Sequence, residues 1–202
     1  MKTVAHKKRI VLTGGPGGGK TTALDLFRRE FSGRIASVPE SATMIFSGGI
    51  ERSSKPEVLM AQQKAIFDLQ RNLEATQILM HPECVMICDR GTLDGLAYWP
   101  NSQNHFFETM NTSLEHELAR YDAVIFFETA AKSGQGIRSN NPIRNESEQA
   151  AVELDEKLQD VWSAHPNFNL VKSDVSFISK VMFGIKTIEQ VIGKDELALE
   201  GT

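Results

Sequence analysis

The chain has little that could serve as a staple or an address. Its two cysteines, Cys84 and Cys88, fall four positions apart in one apparent strand, on the same face and too far apart to join. They read as small core residues of a reduced compartment, so the cytosol is the expected location. The five histidines, His6, His81, His105, His116 and His165, form no pair at metal-ligand spacing, which excludes a centre built on imidazole. The basic start His6-Lys7-Lys8-Arg9 is followed by no long apolar stretch; it leads straight into a strand, so neither a targeting segment nor a membrane span is expected. Basic charge is not in excess either: the net charge is −4 and the isoelectric point about 5.8. Such a balance gives no electrostatic reason to expect nucleic acid or an anionic membrane as the main partner. Internal repeats and low-complexity linkers are missing, and 202 residues with 41% hydrophobic content are enough for one sizeable core. One domain over residues 1–202 is expected, with only the acidic end Asp195–Thr202 frayed.

What the chain does have is Gly14-Gly15-Pro16-Gly17-Gly18-Gly19-Lys20-Thr21, which satisfies G-x-x-x-x-G-K-[ST] at every fixed position. It lies between the apolar run Ile10-Val11-Leu12 and the helix-like Thr22-Ala23-Leu24-Asp25-Leu26-Phe27. Glycines let the backbone turn tightly and aim N–H groups at phosphate oxygens, and the N-terminus of the following helix adds positive potential. The expected nucleotide cradle is therefore Gly15, Pro16, Gly17, Gly18, Gly19, Lys20, Thr21 and Thr22. Lys20 would reach the β- and γ-phosphates and Thr21 would ligate Mg²⁺; ATP and Mg²⁺ are the expected cofactors, with no other metal.

Apolar runs alternate with helix-like stretches. Arg9–Thr13, Ile35–Val38, Val85–Asp89, Ala123–Glu128 and Phe168–Val171 read as strands separated by amphipathic segments, the rhythm of a parallel sheet with helices on both faces. Pro56–Met80 reads as a helix whose Leu59, Ile66, Leu69 and Leu73 recur at helical spacing, stopped by His81-Pro82. The last helix carries Ile178, Val181, Met182, Ile185, Ile188 and Ile192 in one core stripe, closed by Gly193. Between them, the polar, glycine-bearing stretch Thr129–Arg144 ends at a capped helix start, Asn145-Glu146-Ser147-Glu148. A loop this long is usually functional, and Arg138 and Arg144 suit a lid that closes over phosphates and stabilises the charge of the transferred phosphoryl group.

Cys84-Val85-Met86-Ile87-Cys88-Asp89 is an apolar strand ending in a carboxylate, placing Asp89 where it would hold Mg²⁺ or its water shell. Arg90 and Asp94 follow in a dense polar cluster that reads either as part of the ligand crevice or as a surface ion-pair group. Glu40 closes the second strand-like run. If that strand neighbours either the P-loop strand or the one ending at Asp89, Glu40 projects into the same crevice and could act as general base. Gln62, Gln63 and Gln70 lie on the less apolar side of the second helix, a side that reads mainly as solvated, with recognition of a substrate's hydrogen-bonding edge as the alternative. Trp99, Phe106 and Phe107 read as core or as rings that stack on an acceptor.

With the P-loop, Pro39-Glu40-Ser41, Asp89-Arg90-Gly91 and an arginine-bearing lid in that order, the chain resembles the NadR-like P-loop ATPase and kinase domains, relatives of nicotinamide riboside kinase and AAA-type ATP-binding proteins. More distantly it resembles the deoxynucleoside and thymidylate kinases. The resemblance runs over residues 8–192 and implies a three-layer α/β/α P-loop sandwich with a five-stranded, nucleoside-kinase-like parallel sheet. It also implies a catalytic carboxylate at Glu40 and an acidic-arginine pair at Asp89-Arg90. The expected function is transfer of the ATP γ-phosphate to a hydroxyl of a small nucleoside-like or metabolite acceptor. The alternative is a nucleotide-dependent switch or ATPase read by a protein or lipid partner. No N-K-x-D base-reading motif is present, which favours ATP over GTP, and a hexameric AAA-type motor is not expected because the core is followed by no room for an extra helical lid domain.

Overall fold

The computed structural model describes residues 8–133 and 147–199, with side chains described as far as residue 193. Five strands, β1 (Arg9–Thr13), β2 (Ile35–Val38), β3 (Val85–Asp89), β4 (Ala123–Phe127) and β5 (Phe168–Val171), form one sheet in the order β2-β3-β1-β4-β5. Every pairing is parallel. The helices are α1 (Lys20–Glu30), α2 (Ser41–Ser47), α3 (Pro56–Met80), α4 (Gln103–Met110), α5 (Leu114–Leu118), α6 (Glu148–Trp162) and α7 (Phe177–Leu199), and a 3-10 helix, Thr92–Tyr98, follows β3.

Side chains alternate across the strands, so each strand feeds two cores. Ile10, Leu12, Val85, Ile87, Ala123, Ile125 and Phe127 pack with Phe27 of α1 and with Val181, Ile188 and Val191 of α7. Val11, Met86, Cys88, Val124 and Phe126 face the other way, onto Leu158 and Trp162 of α6 and toward Leu73 of α3. Burial on both faces is why these strands are unbroken apolar runs rather than alternating ones. The result is a three-layer α/β/α sandwich around a five-stranded parallel sheet.

Three expectations need correction. The last helix is not closed by Gly193 but continues to Leu199, through the first part of the end expected to fray; a glycine within a helix costs only about 1 kcal/mol and does not stop it. Its stripe is also only partly core, because Ile178 and Met182 are exposed at 74% and 58%. On α3 the buried face is Gln62, Gln63, Phe67, Gln70 and Glu74, while Leu59, Ile66, Leu69 and Leu73 are half-buried. That helix can turn polar groups inward because other segments meet them: the Glu51 carbonyl takes Gln62, the Arg90 carbonyl takes Gln70, and Arg9, Arg120 and Tyr121 donate to Glu74.

Candidate functional site

β1 delivers the chain to Gly14, which adopts φ +123°, and a Cβ there would lie 2.0 Å from the Phe127 carbonyl oxygen at the end of β4. Only glycine permits both the conformation and the approach. Gly19, at φ +91°, is the left-handed residue that turns the loop into α1. Lys20, the first residue of that helix, is buried, and its Nζ donates to the carbonyls of Gly14 at 2.9 Å and Gly15 at 2.6 Å, so the ammonium curls over the loop. Thr21 and Thr22 are exposed in the first turn. Two of the expected cradle positions offer no free amide: Pro16 has none, and the Gly15 N–H donates to Asp155 Oδ1 of α6. Of the expected cradle, Gly17 to Thr22 remain as the stretch whose amides could face a phosphate.

Asp89 ends β3 and is in register with Leu12 of β1, one strand over from the P-loop. Among the described residues no group of three His, Cys, Asp or Glu side chains is arranged to hold a metal. Thr21, at the start of α1, and Asp89, at the end of β3, are the residues that could offer a hydroxyl and a carboxylate to Mg²⁺.

Arg90 is the pivot of the site. It has φ +73°, left-handed for a non-glycine residue, and such conformations persist where the surroundings over-determine them. Its N–H donates to Leu12 O at 3.1 Å, and its carbonyl accepts from Gln70 Nε2 at 3.1 Å. The guanidinium reaches Gly14 O at 2.7 Å, Asp94 Oδ2 at 3.1 Å and Glu40 Oε1 at 3.4 Å. Burial works against this charge, but Asp94 and Glu40 outweigh it and hold the pKa above the ordinary arginine value. Arg90 stays cationic in a nearly dry setting.

Asp94 is buried rather than part of a surface ion-pair group, and its acceptor capacity is spent. It accepts from Thr13 Oγ1 at 2.8 Å, Trp162 Nε1 at 2.8 Å and the Gly91 N–H at 3.4 Å, besides Arg90. It shapes the site and has nothing left for a ligand. Glu40, expected at the end of the second strand, stands at the N-cap of α2. β2 neighbours β3, the second of the two placements considered. Its Oε2 accepts from Thr43 Oγ1 at 2.6 Å.

These groups border one pocket of about 610 Å³, open solvent at the mouth included, that starts at Pro16 of the P-loop; Glu40, Gln63, Arg90 and Tyr98 are in its wall. The three glutamines are all buried, against the expectation of a solvated face. Gln62 holds the Glu51 carbonyl at 2.6 Å and Gln70 holds Arg90, while Gln63 lines the pocket. Trp99 and Phe106 are core, packed edge to face at 5.3 Å with Phe107 against them, and do not line the pocket. The pocket's aromatic residues are Phe46 and Tyr98, which sequence reading missed: Phe46 lies on a short helix with no readable stripe, and Tyr98 at the end of a 3-10 helix. Arg138 and Arg144 lie outside the described residues.

The sequence profile of a family described as an AAA domain matches residues 9–175. No curated protein matches the sequence. Among solved structures, the chain is similar to that of deoxyadenosine kinase from M. mycoides with bound dATP: the TM-score is 0.52 at 12% identity, covering 90% of this chain and 99% of that one. At this identity the likeness is one of fold. No described helix is long and apolar enough to cross a membrane.

Proposed function

This chain belongs to the AAA domain family of P-loop proteins, and we propose that it is an ATP-dependent phosphotransferase acting on a hydroxyl of a small ring-bearing acceptor. One observation carries this reading: a pocket walled by Glu40, Arg90 and Gln63 opens directly against Pro16 of the phosphate loop. A switch or a free-standing ATPase has no need of a formed second site there. The kinship of fold with a deoxyadenosine kinase supports the same reading.

In this mechanism the amides from Gly17 onward and Lys20 hold the terminal phosphates, the lysine exchanging its two loop carbonyls for phosphate oxygens. Mg²⁺, held through Thr21 and Asp89, would supply charge neutralisation on the phosphate oxygens. Phe46 and Tyr98 are the aromatic side chains of the wall against which the acceptor's ring packs. Gln63 is 5% exposed, and its carboxamide makes no hydrogen bond among the described residues; a ring edge with one donor and one acceptor satisfies it. Glu40 takes the proton from the attacking hydroxyl, whose oxygen forms the new bond to phosphorus as the bond to the leaving ADP oxygen breaks. Arg90, anchored to the Gly14 carbonyl, fixes Glu40 relative to the P-loop, and that alignment is where most of the acceleration in phosphoryl transfer arises. The acceptor is bound in the cleft beyond the carboxyl ends of β1, β2 and β3, where open parallel sheets place their ligands.

The test is ATP consumption by the purified protein with Mg²⁺ against a panel of nucleosides and vitamin-like alcohols, with Lys20→Ala as the blank. Acceptor-dependent turnover with a phosphorylated product is expected. Slow hydrolysis indifferent to every acceptor would overturn the kinase reading and move the weight to a nucleotide switch.

A further inference from the structure

Four charged side chains line the pocket: Glu40, Arg52, Arg90 and Asp94. Three are committed to one another, since Arg90 sits 3.4 Å from Glu40 and 3.1 Å from Asp94. Arg52 is different. Its guanidinium lies over the Phe46 ring, 4.0 Å from the centroid, and among the described residues no carboxylate stands within ion-pair distance of it. A guanidinium lying over an aromatic face keeps its five N–H donors for other partners.

Its place is held by the fold. The buried Gln62 side chain donates to the carbonyl of the preceding residue, Glu51, at 2.6 Å. The supporting ring, Phe46, stands on α2, six positions after Glu40, which at the rise of an α-helix is on the order of 9 Å farther along the pocket wall. The pocket therefore has two unlike ends. One, at the P-loop, has the Glu40 carboxylate and the saturated Arg90; the other has an unmatched fork of cationic donors.

Resting on the kinase reading of the same pocket, we infer that the acceptor is anionic: an oxyanion, carboxylate or phosphate monoester, on the end remote from the reacting hydroxyl is bound by Arg52. A fork of N–H donors matches two oxygens of either group, and such charge-assisted pairs are the stronger class of hydrogen bond. A neutral acceptor leaves this pairing unmade. Its counterpart carrying the oxyanion is selected by about tenfold or more.

The experiment uses matched pairs that differ in this charge at the ring end and share a 5′-hydroxyl. Nicotinic acid riboside against nicotinamide riboside tests the carboxylate; a hydroxyphenyl riboside phosphorylated on its phenol oxygen, against the same riboside unphosphorylated, tests the phosphate. Binding is measured by calorimetry for the wild type, Arg52→Gln and Arg52→Lys, and phosphorylated product is followed in parallel. Arg52 is exposed, so neither variant threatens the fold. In the wild type one anionic member is expected to bind about tenfold tighter than its neutral twin. Arg52→Gln should erase that ratio and Arg52→Lys should keep part of it. Which pair shows the ratio distinguishes carboxylate from phosphate. Equal binding within both pairs, a ratio that survives Arg52→Gln, or no binding of any member overturns the inference. Neutral members phosphorylated as well as anionic ones would overturn it while leaving the kinase reading intact, whereas an Arg52-dependent binding ratio without phosphorylated product would do the reverse.

Discussion

The Gly15 N–H of the P-loop donates to Asp155 Oδ1 at 2.8 Å, across 140 positions of chain. The same oxygen accepts from the Thr129 N–H at 2.9 Å, and Lys132 Nζ stands 3.0 Å from Asp155 Oδ2. One fully buried carboxylate on α6 thus ties the base of the phosphate loop to the segment that leaves β4. Lys132 in turn stays cationic: burial opposes its charge, but Asp155 and Glu128 raise its pKa above the ordinary lysine value.

Replacing this carboxylate should loosen both ends of the tie. Asp155→Ala leaves two buried N–H groups without acceptors, each costing on the order of 1–3 kcal/mol. Urea denaturation is expected to show a loss of about 3 kcal/mol, with weaker ATP binding because the P-loop is no longer held. Full stability in this variant would show that the two amides find other partners.

Glu40 and Lys20 should separate chemistry from binding. Glu40→Gln keeps the shape of the side chain and removes the base, so phosphoryl transfer should fall by a factor on the order of 10² or more while ATP affinity stays near the wild-type value. Lys20→Ala should lose nucleotide affinity or turnover outright. Product formation and calorimetric ATP binding on the same preparations decide this; unchanged turnover in Glu40→Gln removes Glu40 from the mechanism.

Gly91 has no room for a methyl group. A Cβ there would lie 2.6 Å from the Trp162 ring and 3.0 Å from Val11, so Gly91→Ala should destabilise by about 1–3 kcal/mol through overpacking. Because Trp162 Nε1 donates to Asp94, the same change should shift the tryptophan emission and weaken acceptor binding together. A variant of wild-type melting temperature and spectrum would contradict this packing.

Acid sensitivity should centre partly on Glu128. Burial raises its pKa, but bonds from the Ser173 N–H and hydroxyl, each 2.8 Å, and the Lys132 charge outweigh it, so the net shift is below the ordinary 4.5. A carboxylate depressed in the folded state adds stability that is present above its ordinary value and is lost as pH falls through the folded value. Stability of the wild type should therefore decline below about pH 4.5, and Glu128→Gln should flatten that decline while lowering stability at neutral pH. Thermal melts over pH 3–7 measure it, and parallel curves for the two proteins would exclude Glu128 as a contributor.

The sequence by itself determined the P-loop and the five strands, to within a residue at the end of β4. A strand buried on both faces must be an unbroken apolar run, and a phosphate-binding turn must carry glycine where φ is positive, as at Gly14 and Gly19. Both are local requirements, written in neighbouring residues. Only the tertiary structure decided which way α3 faces, because the burial of Gln62 and Gln70 depends on partners supplied by Glu51 and Arg90. Apolar periodicity, which records a helix's greasy side, is blind to a polar side that is satisfied from elsewhere. The places of Asp155, Phe46 and Arg52 were hidden for the same reason: each meets groups far away in sequence or on a separate element, and that proximity exists only once the sheet has been assembled.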